Sequence, residues 1–375
     1  MKLNTYTLIG VIILVGIAIY FVGKIGVERD GSGDAVTVMP RASRVAGLDK
    51  SEKYEPAKEI TTPDGFINTE GKPITIGEFT GKKVVLIDFW TYSCINCQRT
   101  TPYLNAWYEK YKDKGLVIIG VHTPEFEFEK NYENVAAAAE KFGIAFPIVL
   151  DNDYSTWRAY KNQYWPRKYL IDIDGYVVYD HIGEGAYEET EREIQKALEE
   201  RMEVLGEDGE IDDVLTEEER SGGIFGSRSP ETYFGAFRNE SFGNGEVGIA
   251  GFQKNLSVPD RIRANTLYLS GDWNINYEFA GNVSSGAGIT YRYTARDVFF
   301  VAEAEKEIVV TVTRDGKPLG DDAGADIERT SEGRTIMRIK DARLYRVIKS
   351  ERSETHTLEF KVEQPGLAAY TFTFG

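Results

Sequence analysis

Runs of consecutive apolar residues alternate with mixed polar and apolar stretches between about residues 56 and 205. The clearest runs are Val84–Trp90, interrupted only by Asp88, and Leu116–Val121. Continuous apolar runs of this length are typical of strands buried on both faces of a sheet. The stretch from Cys94 to about Tyr111 suits an amphipathic helix. This alternation predicts an α/β domain whose mixed sheet is covered by helices on both faces.

Glycine and proline refine the predicted boundaries. We expect Pro102 to kink the first helix without ending it, and Gly115 to stop it. The remaining predicted helices are Glu129–Phe142, Tyr154–Tyr160 and Glu188–Leu205. The remaining predicted strands are Ile74–Phe79, Ile148–Leu150, Lys168–Ile173 and Tyr176–Asp180.

Beyond about residue 230 the pattern changes to short alternating segments with frequent turns. These segments are Asn265–Leu269, Trp273–Phe279, Ile308–Thr313, Leu358–Val362 and Tyr370–Phe374. Regular short strands with glycine-rich turns predict an all-β sandwich over residues 231–375. The acidic stretch 206–230 between the two patterns is interpreted as a linker.

The N-terminal region is predicted to attach the chain to a membrane. Tyr6–Gly23 is apolar and carries no charge, so residues 1–24 are interpreted as a single transmembrane helix. A cleaved signal peptide is the alternative, but no convincing small-residue cleavage site follows the run. Residues 25–55 are rich in glycine and charged residues and are interpreted as a flexible tether. We expect the bulk of the chain to lie outside the cell membrane.

Charge and cysteine content narrow the possible functions. The formal net charge of −16 argues against nucleic acid as a partner, because a phosphate backbone requires a basic surface. The chain has two cysteines, Cys94 and Cys97, which lie where a predicted strand is followed by a helix. Free N–H groups and the partial positive charge of a helix N-terminus favour a thiolate, the attacking species in thiol–disulfide exchange. Cys97, one turn later, can resolve the mixed disulfide.

The sequence argues against two other uses of the cysteine pair. A zinc site needs four ligands, and none of His122, His181 and His356 is spaced from the pair as a second ligand pair would be. A purely structural disulfide would close a very short loop and contribute little entropy. We therefore expect no metal, and no cofactor beyond the redox-active Cys94–Cys97 disulfide itself.

Longer motifs carry a resemblance to a known family. The order Asp88-Phe-Trp90, then Cys94-x-x-Cys97, resembles the thioredoxin superfamily in its membrane-tethered, TlpA-like extracytoplasmic branch. The stretches WTYSCINCQRT, GVHTPEFEFEKN, LDNDYSTWRAYKNQYWPRKYLIDIDG and AYTFTFG resemble the C-terminal part of DipZ-type proteins. The resemblance covers about Glu59–Gly375. It implies a thioredoxin-like fold followed by a jelly-roll sandwich similar to carbohydrate-binding modules.

The resemblance also implies roles for single residues. Cys94 matches the nucleophile, Cys97 the resolving thiol, and Asp88 a buried acid that relays a proton to or from Cys97. Burial of a carboxyl group should raise its pKa. Pro166 matches a cis-proline opposite the cysteines. We expect the residues that contact substrate to be Trp90, Tyr92, Ile95, Asn96 and Trp165.

Partners follow from the same resemblance. The substrates implied are protein disulfides. Larger DipZ-type proteins fuse these domains to a multi-span electron carrier, whereas this chain has one apolar span. A separate CcdA/DsbD-like membrane carrier is therefore the expected electron donor, and reduction is the expected direction. Some cytochrome-maturation relatives carry an acid where this chain has Thr100, which argues against a specialised haem role.

Two alternative functions remain open from the sequence. Thr91 and Cys94 form a T-x-x-C pattern as in thiol peroxidases, although Ile87 stands where those enzymes carry proline. The C-terminal domain could instead bind a glycan or a partner protein, with adhesion as the main task and the redox domain as accessory. Its candidate aromatic residues are Trp273, Tyr291 and Tyr293, although large aromatics more often belong to a core.

Overall fold

The computed structural model describes residues 36–40, 50–216 and 228–375. The first part of this chain is α/β and the second part is all β. The α/β strands are β1 (Gly65–Ile67), β2 (Val84–Trp90), β3 (Leu116–His122), β4 (Ile148–Leu150), β5 (Arg167–Ile171) and β6 (Val177–Ile182). The α-helices are α1 (Ile95–Tyr111), α2 (Tyr132–Lys141), α3 (Ser155–Ala159) and α4 (Tyr187–Leu205).

The α/β part is built on a mixed sheet in the order β1-β4-β3-β2-β5-β6. Strands β2, β3 and β4 are parallel, whereas β1, β5 and β6 run antiparallel to their neighbours. Every residue of β2 and β3 is buried, because side chains pack against both faces of the sheet. The mixed, doubly covered sheet predicted from the apolar runs is confirmed.

Most predicted elements form, with shifts that have local causes. Pro102 lies inside α1 as predicted, and Gly115 follows the helix with a φ of 103° that favours glycine. Helix α2 starts at Tyr132 because the side chain of Asn131 accepts hydrogen bonds from the first free N–H groups.

The strand predicted at Ile74–Phe79 is wrong, and Gly77–Phe79 is a short 3-10 helix. The carboxylate of Glu59 accepts from the backbone N–H groups of Ile76 and Gly77, at 2.6 and 3.0 Å, and holds this segment as a turn.

The C-terminal part is an antiparallel β structure, as predicted. Its strands are β7 (Thr232–Tyr233), β8 (Gly251–Leu256), β9 (Leu267–Ile275), β10 (Ala280–Asn282), β11 (Ala287–Ala304), β12 (Ile308–Arg314), β13 (Lys317–Pro318), β14 (Ile327–Arg329), β15 (Thr335–Ile339), β16 (Arg343–Val362) and β17 (Leu367–Phe374). The long strands β11 and β16 pair along most of their length. Strand β11 also pairs with β9 at Gly288–Tyr291 and with β17 at Val298–Ala304. One continuous sheet therefore folds around a single large core.

The aromatic residues considered for glycan binding belong to this core. Trp273, Tyr291 and Tyr293 are 0, 1 and 1% exposed. The indole N–H of Trp273 donates to the carbonyl of Ser270 at 2.9 Å, so its polar atom is also satisfied. These side chains stabilise the domain and present no face to a ligand.

The segments predicted to form the membrane anchor and its tether lie largely outside the described residues. The anchor at 1–24 lies entirely outside them, the tether at 25–55 mostly so, and the linker at 206–230 in part. No helix among the described residues is long and apolar enough to cross a membrane. Lys50, inside the predicted tether, is buried and its ammonium group pairs with Asp172, Asp174 and Glu200.

Replacing Trp273 with alanine should lower the free energy of unfolding by about 3–5 kcal/mol, because it leaves a cavity in a closed core. Denaturant unfolding followed by circular dichroism measures the loss. Phe252, which is 66% exposed on β8, is the matched control, and Phe252→Ala should change stability by less than about 0.5 kcal/mol. A Trp273→Ala variant as stable as Phe252→Ala would show that the residue is not part of the core.

Candidate active site

The sequence places Cys94 at the start of a helix, and the structure shows how that helix holds the sulfur. Strand β2 ends at Trp90, and Cys94 then caps α1 in an extended conformation. The Cys94 sulfur accepts a hydrogen bond from the backbone N–H of Cys97 at 3.4 Å. Both cysteines are thiols in this structure, and Cys94 is half-buried whereas Cys97 is buried. Only Cys94 is open to attack a partner.

Cys97 lies in an environment that holds its proton. Burial raises the pKa of the Cys97 thiol well above its usual value, and the hydrogen bond with Cys94 and the charge of Asp88 act in the same direction. Cys97 therefore needs a nearby base before it can act as a nucleophile.

Asp88 and Lys168 form a buried pair of opposite charge next to Cys97. They are register partners on β2 and β5, and they are 2% and 0% exposed. Burial raises the pKa of Asp88 to about 7, against the opposing charge of Lys168. Burial lowers the pKa of Lys168, against the charges of Asp88 and Cys97. The Oδ1 atom of Asp88 has no hydrogen-bond partner among the described residues, so the carboxyl group is available for proton exchange.

Sequence reasoning found Asp88 but missed Lys168. The available signal was a lysine directly before the apolar run Tyr169–Ile171, two residues after Pro166. A buried lysine is costly unless a charge or a carbonyl compensates it. Here Asp88 supplies the charge, and the carbonyl of Gly183 accepts from the ammonium group at 3.4 Å.

Trp165 and Pro166 lie opposite the cysteines as the resemblance implied. The bond between them is cis. The thiol of Cys94 donates to the carbonyl of Trp165 at 3.9 Å. The indole of Trp165 donates to the carbonyl of Thr123 at 2.9 Å and packs against Trp157 at 4.2 Å between ring centroids. Trp165 is thereby fixed beside the reactive sulfur.

The predicted substrate contacts divide into two groups. Ile95, Asn96 and Trp165 line a cleft together with Cys94. Trp90 and Tyr92 do not, because they are 3% and 4% exposed and lie behind the active-site loop against His122. Their assignment to substrate contact is corrected: both belong to the packing that supports the loop.

A second buried carboxylate, Glu129, was not predicted as a site residue. One of its oxygens accepts from the hydroxyl of Ser93 at 2.6 Å, and the other accepts from the backbone N–H groups of Glu125 and Phe126. Burial raises the pKa of Glu129 to about 7, and the charge of Glu125 adds to the shift. Glu129 therefore ties the residue before Cys94 to the loop after β3.

The C-terminal domain closes one side of the site. Ile95 and Phe126 pack in a cluster with Phe299, Val301 and Tyr370 of that domain. The hydroxyl of Tyr92 donates to the carbonyl of Ala342 at 3.1 Å.

The cleft at Cys94 has a volume of about 460 Å³. Its walls on the C-terminal side include Tyr233, Arg238, Val301, Thr371, Thr373 and Phe374. Sequence reasoning gave no sign of this wall, because its residues lie more than a hundred positions from Cys94.

The histidines and the acidic cluster have other partners. His122 contacts the hydroxyl of Thr91 at 3.4 Å, and burial lowers its pKa to about 3. His181 lies 3.4 Å from the carbonyl oxygen of Glu184, and His356 lies 2.7 Å from a carboxylate oxygen of Asp315.

In the described part of the chain, one group of carboxylates has the spacing of a metal site, Asp172, Asp174 and Glu200. The ammonium group of Lys50 fills it.

Comparison with known proteins agrees with this geometry. Residues 53–198 match the Redoxin family, and residues 229–375 match the family described as thioredoxin like C-terminal domain. The thiol-disulfide oxidoreductase ResA of Bacillus thuringiensis is 34% identical over 150 residues, which cover 39% of this chain and 81% of ResA. The chain belongs to the thioredoxin-like thiol–disulfide oxidoreductase family.

Within this family, the similarity to DipZ proteins extends into the C-terminal domain. Protein DipZ of Mycobacterium bovis and that of Mycobacterium tuberculosis are each 38% identical over 336 residues. The matched region is 88% of this chain but 44% of either DipZ protein, so the chain spans less than half of their length. The two-domain arrangement described here is therefore similar to one part of a longer protein.

The raised pKa of Asp88 predicts a pH-dependent stability difference. An aspartate in an unfolded chain ionises near pH 4, whereas Asp88 in the folded protein ionises at about 7. The folded state therefore binds the extra proton, and its stability falls as pH rises from about 4 to about 7. Asp88→Asn should remove this loss, so its stability relative to wild type should grow by up to roughly 4 kcal/mol between pH 4 and pH 8.

Denaturant unfolding across this pH range measures the effect. Asp113→Asn, a change at an exposed aspartate after α1, is the matched control and should follow the wild-type curve. Parallel stability curves for Asp88→Asn and wild type would contradict a raised pKa of Asp88 in the folded protein.

Proposed function

We propose that this protein is an extracytoplasmic, membrane-anchored thiol–disulfide oxidoreductase that reduces protein disulfides. One observation carries the proposal: a reachable Cys94 thiol caps α1, and a buried Cys97 thiol lies one turn behind it next to a buried acid. One thiol is placed to attack and the other to resolve. The named activity of ResA supports the same reaction class.

The reaction follows from the positions of these groups. The Cys94 thiolate attacks one sulfur of a target disulfide, and the other target sulfur leaves as a thiolate. Cys97 then loses its proton to the Asp88 carboxylate and attacks the Cys94 sulfur. The second target thiolate leaves, two electrons have passed to the target, and the protein holds a Cys94–Cys97 disulfide.

Asp88 and Lys168 suit the second step of this reaction. A base with a pKa of about 7 both accepts and returns a proton near neutral pH. The positive charge of Lys168 stabilises the Asp88 carboxylate and the thiolate that develops on Cys97. Lys168 therefore acts through these two groups as a positioning residue.

The direction, the donor and the anchor are parts of the proposal that rest on sequence. Tyr6–Gly23 would hold the chain in the membrane, and a separate membrane electron carrier would reduce the Cys94–Cys97 disulfide after each turnover. The similarity to DipZ supports this arrangement.

The residues that suggested the two alternative functions do not support them. A thiol peroxidase would direct the Thr91 hydroxyl to the Cys94 sulfur, but that hydroxyl contacts His122. The aromatic residues considered for adhesion lie in the core.

Cys97→Ser should accumulate mixed disulfides with target proteins, because Cys94 can attack but nothing releases the target. Expression in cells followed by non-reducing electrophoresis should show protein bands that disappear on reduction. Cys94→Ser is the matched control and should form none. Equal bands from both variants, or bands from neither, would contradict the assigned roles.

A membrane-impermeant maleimide should label Cys94 in intact cells after treatment with an impermeant phosphine. The extent of labelling in intact cells should equal that in lysed cells, and the Cys94→Ser variant should remain unlabelled. Labelling that requires lysis would place the domain on the other side of the membrane. Deleting residues 1–24 should move the protein from the membrane pellet to the supernatant.

A further inference from the structure

A second cleft adjoins the one at Cys94. It has a volume of about 300 Å³ and lies between the two domains. The two clefts share Glu125, Trp165, Tyr233 and Arg238 as lining residues. Together they make a groove that starts at the reactive sulfur and passes between the α/β domain and the C-terminal domain.

Two exposed aromatic side chains line the second cleft. Phe237 is 67% exposed and Tyr277 is 61% exposed, and their rings stack at 4.8 Å with an angle of 24°. The backbone N–H of Phe237 donates to the carbonyl of Tyr277 at 2.9 Å, which holds the two backbone segments side by side. A stacked, exposed aromatic pair in a groove is typical of a contact that anchors an apolar side chain.

At the shared centre of the groove, two charged side chains form an ion pair with each other. Arg238 pairs with Glu125 at 2.7 Å, and its guanidinium group lies 3.7 Å above the ring of Tyr233. The hydroxyl of Tyr233 donates to the same Glu125 carboxylate at 2.8 Å. The charged lining of both clefts consists of three carboxylates (Glu125, Glu231 and Glu278) and two guanidinium groups (Arg228 and Arg238), so their formal charges nearly cancel and do not select a strongly charged occupant.

Hydrogen-bonding capacity remains at the Cys94 end. Thr373 lines the first cleft and is 6% exposed, and its hydroxyl has no hydrogen-bond partner among the described residues. A buried, unpaired hydroxyl is costly unless a ligand pairs with it. The backbone of an extended peptide offers both donors and acceptors to such a group.

The size of the groove selects against the face of a folded protein. Clefts of about 460 and 300 Å³ have the dimensions of sites for small ligands or a few residues of chain. The C-terminal domain also covers Ile95 next to Cys94, so the reactive sulfur is recessed. A target disulfide must therefore arrive on a flexible segment.

We propose that the C-terminal domain forms half of the substrate site, and that the groove binds an extended polypeptide segment. The disulfide of that segment meets Cys94, and an aromatic or aliphatic side chain a few residues away packs on Phe237 and Tyr277. This inference rests on the proposed function, because it names the substrate of the same cysteine pair. The reduced protein gives two electrons and two protons to the disulfide, which leaves two peptide thiols and a Cys94–Cys97 disulfide.

Two synthetic substrates test the proposal without changing the protein. Each is a symmetric disulfide dimer of a linear peptide of about ten residues, a length that spans both clefts when extended. One peptide carries phenylalanine three residues to either side of its cysteine, and the other carries serine there. Reduced full-length protein should react about five- to tenfold faster with the phenylalanine peptide, as measured by the fluorescence change on oxidation.

Variants then identify the residues that cause the preference for the phenylalanine peptide. In the double variant Phe237→Ala/Tyr277→Ala the ratio of the two rates should fall to about one. In Phe252→Ala, which removes an equally exposed aromatic outside the groove, the ratio should match wild type. Thr373→Val should lower both rates by a similar factor, because a backbone contact does not depend on the peptide side chains.

Several outcomes would overturn the proposal. Equal rates for the two peptides in wild type would do so, as would a preference that survives the double variant. Equal peptide rates together with binding of a chitin tetrasaccharide that the double variant loses would assign the surface to glycans instead. Failure of wild type to reduce even hydroxyethyl disulfide would contradict the proposed function itself, and is distinguishable because that small disulfide needs no groove.

Discussion

The contact between the Cys94 sulfur and the N–H of Cys97 ties the chemistry to the fold. It exists because β2 is buried along its whole length and delivers the chain directly to the start of α1. The same geometry places the second thiol inside the protein, where it stays protonated without a base. The two sulfurs are close in sequence, but their different burial gives them different chemical tasks.

Burial also explains why the two charged side chains next to Cys97 have opposite charges. A lone carboxylate or ammonium group would be costly there, but Asp88 and Lys168 lie opposite each other on neighbouring strands. The C-terminal domain adds a further constraint, because it packs on Ile95 and Phe126 and leaves Cys94 open along one groove. Access to the sulfur is therefore decided by both domains together.

The sequence predicted what depends on local pattern. The strands β2 and β3 could be predicted because their sequences are continuous apolar runs. The end of the helical segment at Gly115 could be predicted because glycine favours that backbone conformation. The turn within Ile74–Phe79 could not be predicted in this way, because the carboxylate that fixes its backbone belongs to Glu59, 17 residues before Ile76. The pairing of Lys168 with Asp88 depends on strand register, and the position of Arg238 and Thr373 beside the cleft depends on domain packing. A short sequence motif contains neither kind of information.

The ion cluster around Lys50 has a consequence for how this protein responds to tension. The turn that carries Asp172 and Asp174 follows the end of β5. Because β5 runs antiparallel to β2, this turn lies near the start of β2, whereas Cys94 follows the end of β2. A pull on the N-terminal end of the described chain would load the hydrogen bonds that join Val36 and Val38 to Glu59 and Ala57, and then the Lys50 cluster. Force applied there would therefore load the end of β5 that lies farthest from the reactive sulfur.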